Sequence, residues 1–276
     1  MVLLYAIGAA SFPISIFYKI FGESRAAVCF SAFLARAVCC ILPVWLLFEI
    51  KAKKLFSGKR FFKGFLFVLP FYIVAINNFP FLPLFSGDAS WIYDESGEFA
   101  LSVICYVFMC VAISALEETV FRGVIFVTLL RKFCNSNQTE SEKKKGEFWS
   151  IIISSALFGC AHLVNVFAGA NVGATLLQVG YSFLIGCMCA FAMLKSGNFY
   201  HAVALHAVFD VGGLLIEKEF IGGVIWTTEN MILTAVIGVI AAIYAIIVFI
   251  KGKNSALTDD IVKNDVSAGS SGDESL

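Results

Sequence analysis

Charge is scarce in this 276-residue chain. Only 14% of its residues are Asp, Glu, Lys or Arg, against 59% apolar, whereas a soluble domain carries about 25% charged residues. The deficit excludes an ordinary water-facing surface. Basic and acidic residues balance at 20 each, so the net charge is zero and no basic face is left over for a nucleic-acid partner. Histidine occurs three times and proline five. There is no C-x-x-C pair, no Cys/His cluster at zinc spacing, no H-E-x-x-H, no phosphate-binding loop and no internal repeat, which removes the common metal and nucleotide folds. Eight of the nine cysteines fall in apolar segments and read as small buried hydrophobes. No Lys or Arg precedes Lys19, so the charged n-region of a cleaved signal peptide is missing and the first apolar segment is expected to be a retained span.

What is abundant is apolar sequence, with a mean hydropathy of +0.87. A span needs about 20 mostly apolar residues. Eight segments come to that length or near it: 1–20, 26–49, 61–85, 99–130, 148–168, 174–194, 198–216 and 231–250. The expectation is an all-α, polytopic membrane bundle of about eight transmembrane helices with a buried polar cavity open to the cytoplasm. The fourth segment is too long for one crossing and is expected to turn near Gly123 and continue as a shorter interfacial helix. The seventh, short and polar, suits a helix enclosed by others. Pro13, Pro43 and Pro70 are expected inside helices, and Pro80 and Pro83 to end the third span.

Lys and Arg cluster in 51–63 and 131–145 and recur at Lys195, Lys251 and Lys253, whereas 86–98 carries Asp88, Asp94, Glu95 and Glu98 with no base. The positive-inside rule then puts both termini in the cytoplasm of a multi-pass protein of the cell (inner) membrane. Residues 1–250 read as one membrane-embedded domain. Residues 251–276 turn polar and rich in Ser, Gly and Asp, and are expected to be a disordered cytoplasmic tail.

Against this background a few ionisable residues stand out. Glu117, Glu118 and Arg122 lie inside an apolar run, where each charge costs about 2.5–3.5 kcal/mol on insertion scales. All three histidines, His162, His201 and His206, lie in or at the edge of spans, and Asp210 shares a helix face with His206 at i, i+4. At 1.5 Å per residue, Glu117 lies about 20 Å from Leu130, His162 about 21 Å from Phe148, and His206 and Asp210 about 12 and 18 Å from Asn198. Three helices thus carry ionisable groups to similar depths, which one shared polar cavity explains. Taken singly, each group has a plainer reading. Glu118 with Arg122 makes an ion pair between turns, His162 packs, and His206 with Asp210 clamps two helices. His201, near a helix end, is expected at the membrane interface. Arg36, mid-span in the second segment, calls for a carboxylate or carbonyl partner.

The set resembles the CAAX-prenyl-protease and bacteriocin-processing (Abi, CPBP) family of intramembrane endopeptidases. That family's motifs E-E-x-x-x-R, F-x-x-x-H and H-x-x-x-N/D appear in order as Glu117-Glu118-Thr119-Val120-Phe121-Arg122, Phe158-Gly159-Cys160-Ala161-His162 and His206-Ala207-Val208-Phe209-Asp210, within a core of 98–216. Asp210 stands where the eukaryotic prenyl-protein proteases carry Asn, which leans toward the broader prokaryotic branch. The resemblance implies peptide-bond hydrolysis near the membrane, on a peptide or prenylated-protein substrate such as a CAAX terminus or a leader peptide. It implies Glu117 as general base holding water with His162, and His206 at the oxyanion with Asp210 orienting its imidazole. Arg122, one turn from Glu118, can hold that carboxylate charged and leave Glu117 free. No cofactor is expected; the alternative is zinc held by Glu117, His162 and His206. The rival functions are a proton-coupled transporter, since intramembrane Glu, His and Asp also build proton relays, and a non-catalytic immunity or scaffold protein of the same fold.

Overall fold

The computed structural model describes residues 15–57, 61–93, 97–252, 255 and 257–261. Its helices are α1 (Ser15–Phe21), α2 (Arg25–Glu49), α3 (Phe61–Asn77), α4 (Phe81–Ser86), α5 (Phe99–Glu118), α6 (Val127–Phe133), α7 (Glu140–Ala161), α8 (Val164–Phe167), α9 (Val172–Ser196), α10 (Tyr200–Gly213) and α11 (Thr228–Lys251). Side chains set several of the starts by accepting from an otherwise orphaned backbone N–H. Ser24 accepts from Ala27, Asn171 from Ala174 and Thr227 from Asn230, and Thr139 with Glu142 forms a reciprocal capping box. Helix α9 stops at Gly197, which takes the left-handed conformation that glycine adopts without strain.

Five helical stretches among the described residues are long and apolar enough to cross a bilayer: Arg25–Glu49, Phe99–Phe133, Glu140–Phe167, Val172–Ser196 and Thr228–Lys251. The chain is therefore a helical, integral membrane protein. Eight spans were expected. The third and seventh expected segments are the shorter helices α3 and α10, and most of the first, with Pro13, lies outside the described residues. Pro43 and Pro70 do sit inside α2 and α3, and α3 ends at Asn77, just before Pro80. Helix α11 turns Ile232, Val236, Val239, Ile243 and Ile247 outward, an apolar face that is stable against lipid and not against water.

The fourth segment corrects the expectation. It does not turn at Gly123. The chain stays helical from Phe99 to Phe133, passing from α5 into a π-helical stretch, Thr119–Phe126, and on into α6. Gly123 instead packs against Leu47, and Val127 and Leu130 are fully buried, so one face of α6 belongs to the core. Single π turns inside α-helices concentrate at functional sites, and this one begins at the residue after Glu118.

A second unforeseen element is a two-stranded antiparallel sheet, β1 (Ala89–Trp91) with β2 (Ile221–Gly223), in the register Ala89↔Gly223. It joins the loop that enters α5 to the loop that leaves α10. At Gly223 the backbone has φ +110° and a side chain would collide with the Asp88 carbonyl, so glycine is required there.

The segment after α11, expected to be disordered, is ordered in part. Residues 257–261 form a helical turn whose Leu257 and Ile261 are buried in the main apolar core beside Leu130 and Ile151. Ser255 N and Thr258 Oγ1 donate to Glu147 Oε1 of α7 at 3.1 and 2.6 Å, which partners a carboxylate that is otherwise fully buried. Lys143 meets Asp259 at 3.5 Å.

Candidate active site

The site is built where α5 and its π continuation, α7 and α10 meet. Glu117 and Glu118 end α5, and consecutive residues on a helix diverge by about 100°. Glu118 accordingly points into the bundle and is fully buried, while the Glu117 side chain keeps 27% of its surface. Arg122, also fully buried, brings Nε within 3.1 Å of Glu118 Oε2. A buried carboxylate and guanidinium at this distance offset each other's desolvation, and removing either strands the other. The guanidinium lies over the Phe158 ring, 4.6 Å from its centroid, and none of its three nitrogens has a hydrogen-bond partner among the described residues, so its contact with Glu118 is an ion pair.

From α10, His206 reaches the opposite oxygen of the same carboxylate: Nδ1 to Glu118 Oε1 is 2.8 Å. A carboxylate accepts, so Nδ1 is the donor in this bond. Nε2 then faces Glu117 Oε2 at 3.7 Å and Asp210 Oδ1 at 3.6 Å. These gaps are too long for direct hydrogen bonds. Asp210 Oδ2 accepts from Ser114 at 3.3 Å.

His162 ends α7 as its C-cap. Its Nδ1 lies 3.1 Å from the Phe158 carbonyl, one turn earlier. A carbonyl can only accept, so this bond fixes the tautomer and leaves Nε2 as the free nitrogen. Phe158 ties the three motifs together: its ring meets His162 edge-on at 5.1 Å and His206 at 5.5 Å, while its face carries Arg122.

All six expected residues thus gather around one point, with two differences from the expected roles. The short hydrogen bond that orients His206 comes from Glu118, and Asp210 stands near the other ring nitrogen. His162 contacts neither glutamate directly among the described ion pairs and approaches the site through Phe158. The alternative zinc ligands, Glu117, His162 and His206, do not form a three-ligand cluster, and no group of three or more His, Cys, Asp or Glu among the described residues does.

His201, expected at the membrane interface, is enclosed by protein and fully buried. It stacks on Phe61 at 4.3 Å, with Nε2 on the Phe61 carbonyl at 2.8 Å and Nδ1 beside the Tyr72 hydroxyl at 3.1 Å. Both ring nitrogens are satisfied, and its task is packing. Arg36 is partly buried on α2.

Three residues unmarked in the sequence hold the site in place. Tyr106 donates to the carbonyls of Asp210 (3.2 Å) and Val211 (2.8 Å), and Asn78 to that of Phe209 (2.8 Å). Of these, Val211 lies among the last carbonyls of α10, which lack a partner within the helix, whereas the Asp210 carbonyl also accepts from Leu214 N at 3.0 Å. Ser114 is the third. One signal for it was legible, since it lies one turn before Glu118 on the same face.

Residues 99–212 match the family model described as Type II CAAX prenyl endopeptidase Rce1-like, the family whose motifs the chain resembles. The match supports a protease-type enzyme of the membrane. No curated protein and no solved structure matches the chain.

Proposed function

With the Rce1-like pattern running through 99–212, we propose that this chain is an intramembrane endopeptidase that hydrolyses a peptide bond with a glutamate-activated water. The observation that carries the reading is the unequal treatment of two adjacent carboxylates. Glu118 is committed to Arg122 and to His206 Nδ1, while Glu117 has no direct hydrogen bond among the described residues and stays partly open.

A water between Glu117 and the histidine pair would give a proton to Glu117 as its oxygen attacks the scissile carbonyl. Electron density moves onto the carbonyl oxygen, and Nε2 of His206, when it carries a proton, is the donor placed to meet that charge. Collapse breaks the C–N bond, and Glu117 returns the proton to the leaving amine. Glu118 fixes the imidazole by its Nδ1, and Asp210, held by Ser114, supports Nε2 from the far side. His162, with Nδ1 tied back to its own helix, offers Nε2 as an acceptor to the same water.

The substrate is a peptide segment, a CAAX-type prenylated terminus or a leader peptide, that reaches the site from the bilayer or from the cytoplasmic face. We place the basic segments and the carboxyl terminus of this single membrane domain in the cytoplasm of the cell membrane. The loops agree with that arrangement. Asn198 and Tyr200 bond to the carbonyls of Ser57 and Phe56, joining two of the basic connections, while β1 and β2 pair the two connections that carry few bases. The test is purified protein in liposomes against labelled peptides, with Glu117→Gln alongside. Cleavage by the wild type and none by the variant is expected; retained cleavage overturns the assignment, and proton movement without cleavage points to a transporter.

A further inference from the structure

Helix α9 carries none of the three motifs, yet it forms one wall of the slot that holds Arg122. The contact is made by Gly186, buried midway along the helix. A methyl placed there would lie 2.9 Å from Arg122 Nη2, 3.0 Å from Ser155 Cβ and 3.2 Å from Ser155 Cα. Separations this short do not persist between carbon and its neighbours, so something must shift. The guanidinium has little room to yield. Its face is against Phe158, its Nε is on Glu118, and it is fully buried. Ser155 is equally confined, being fully buried on α7. The φ of Gly186 is not in the left-handed region, so glycine serves here for its lack of volume and not for its backbone freedom.

We propose that Gly186 is a positioning residue for the site. By leaving out a side chain, it lets Arg122 lie flat between α9 and Phe158 and reach Glu118, and through Glu118 it sets the angle of His206. A carbon added at 186 would push the guanidinium off Glu118. The carboxylate would lose one of its two anchors and His206 would reorient with it. The catalytic consequence rests on the peptidase reading above; the linkage from Gly186 to His206 does not.

The experiment uses the full chain in detergent micelles with Gly186→Ala. The control is Gly180→Ala on the same helix, where a methyl would meet nothing within 4 Å. Imidazole nitrogen NMR reads the ring directly, since only three histidines must be assigned. Gly186→Ala is expected to move the His206 Nδ1 resonance and to lower kcat about tenfold or more with KM changed less than about twofold, the pattern of a misplaced catalytic group. Gly180→Ala is expected to do neither. The same substitution is then made on Arg122→Lys, whose side chain lacks the flat head that fills the slot. There its effect on the resonance and on the unfolding midpoint is expected to shrink to less than half.

An unmoved His206 signal overturns the proposal, as does an equal effect in both backgrounds, which would assign the crowding to Ser155 alone. If Gly186→Ala accumulates no folded protein, recovery on Arg122→Lys supports the proposal and failure on both overturns it. Should the wild type cleave no peptide, the peptidase reading fails while the His206 resonance still decides the role of Gly186.

Discussion

Glu118 and His206 are joined by a 2.8 Å hydrogen bond across 88 residues of chain. With Arg122 on the other oxygen of Glu118, this bond turns two separate helices into one charged unit, and it makes the two glutamates testably different. Glu117→Gln removes no direct hydrogen bond, so its thermal midpoint is expected within a few degrees of wild type while peptide cleavage falls about a thousandfold or more. Glu118→Gln strands a buried guanidinium and is expected to cost about 3–5 kcal/mol. Thermal unfolding and cleavage rates, measured side by side, separate the two outcomes.

The Arg122–Glu118 pair is expected to be strongly coupled. Replacing either partner alone leaves a buried charge, whereas Glu118→Gln with Arg122→Met removes both. The double variant is expected to be more stable than the sum of the single losses by about 2 kcal/mol or more. Chemical denaturation of the four proteins closes the cycle; additive losses would show that the ion pair is not what holds the slot together.

Asp210 accepts from Ser114 and stands 3.6 Å from His206 Nε2. Asp210→Asn keeps the shape and an acceptor for Ser114, so its kcat is expected within about tenfold of wild type, while Asp210→Ala loses about a hundredfold. Equal losses in the two variants would mean that the negative charge, and not the placement of the group, is what the site requires.

Activity is expected to survive exhaustive chelation, and metal analysis of the purified protein to find zinc well below one equivalent. Stoichiometric zinc lost together with cleavage would replace the glutamate mechanism with a metal-assisted one.

Thr258 donates to the buried carboxylate of Glu147 at 2.6 Å. Thr258→Val is expected to lower stability by about 1–3 kcal/mol, because a charged acceptor loses a donor out of reach of water. Glu147→Leu combined with Thr258→Val is expected to regain part of that loss. An unchanged midpoint in Thr258→Val would show that residues 255–261 do not anchor α7.

The motif residues were legible because ionisable groups are so rare in this composition that Glu117, Glu118, Arg122, His162, His206 and Asp210 had no background to hide in. Tyr106 and Asn78 were not legible. Their work is to donate to main-chain carbonyls of α10, and nothing in a sequence marks which tyrosine or asparagine does that. The surroundings of His201 were not legible from its place near a helix end, since Phe61 and Tyr72, from another helix, decide them. The strands escaped notice because three residues are too few to show a period of two. The helical turn at 257–261 was masked by the polar composition around it, although Leu257 and Ile261 lie four apart, the spacing of one helical face. The continuity through Gly123 was hidden because glycine marks a turn in most contexts, while here it admits Leu47.

The π-helical stretch between α5 and α6 carries one residue more per wide turn than an α-helix of the same rise. Because the wide turn absorbs that residue, removing one residue there would let the stretch wind as an ordinary α-helix with α6 kept close to its present facing, so Val127 and Leu130 would stay in the core. What would change is the stretch itself, which contains Arg122. A one-residue deletion between Glu118 and Arg122 is thus expected to leave the bundle folded while shifting the arginine off its carboxylate, so that fold and site part company.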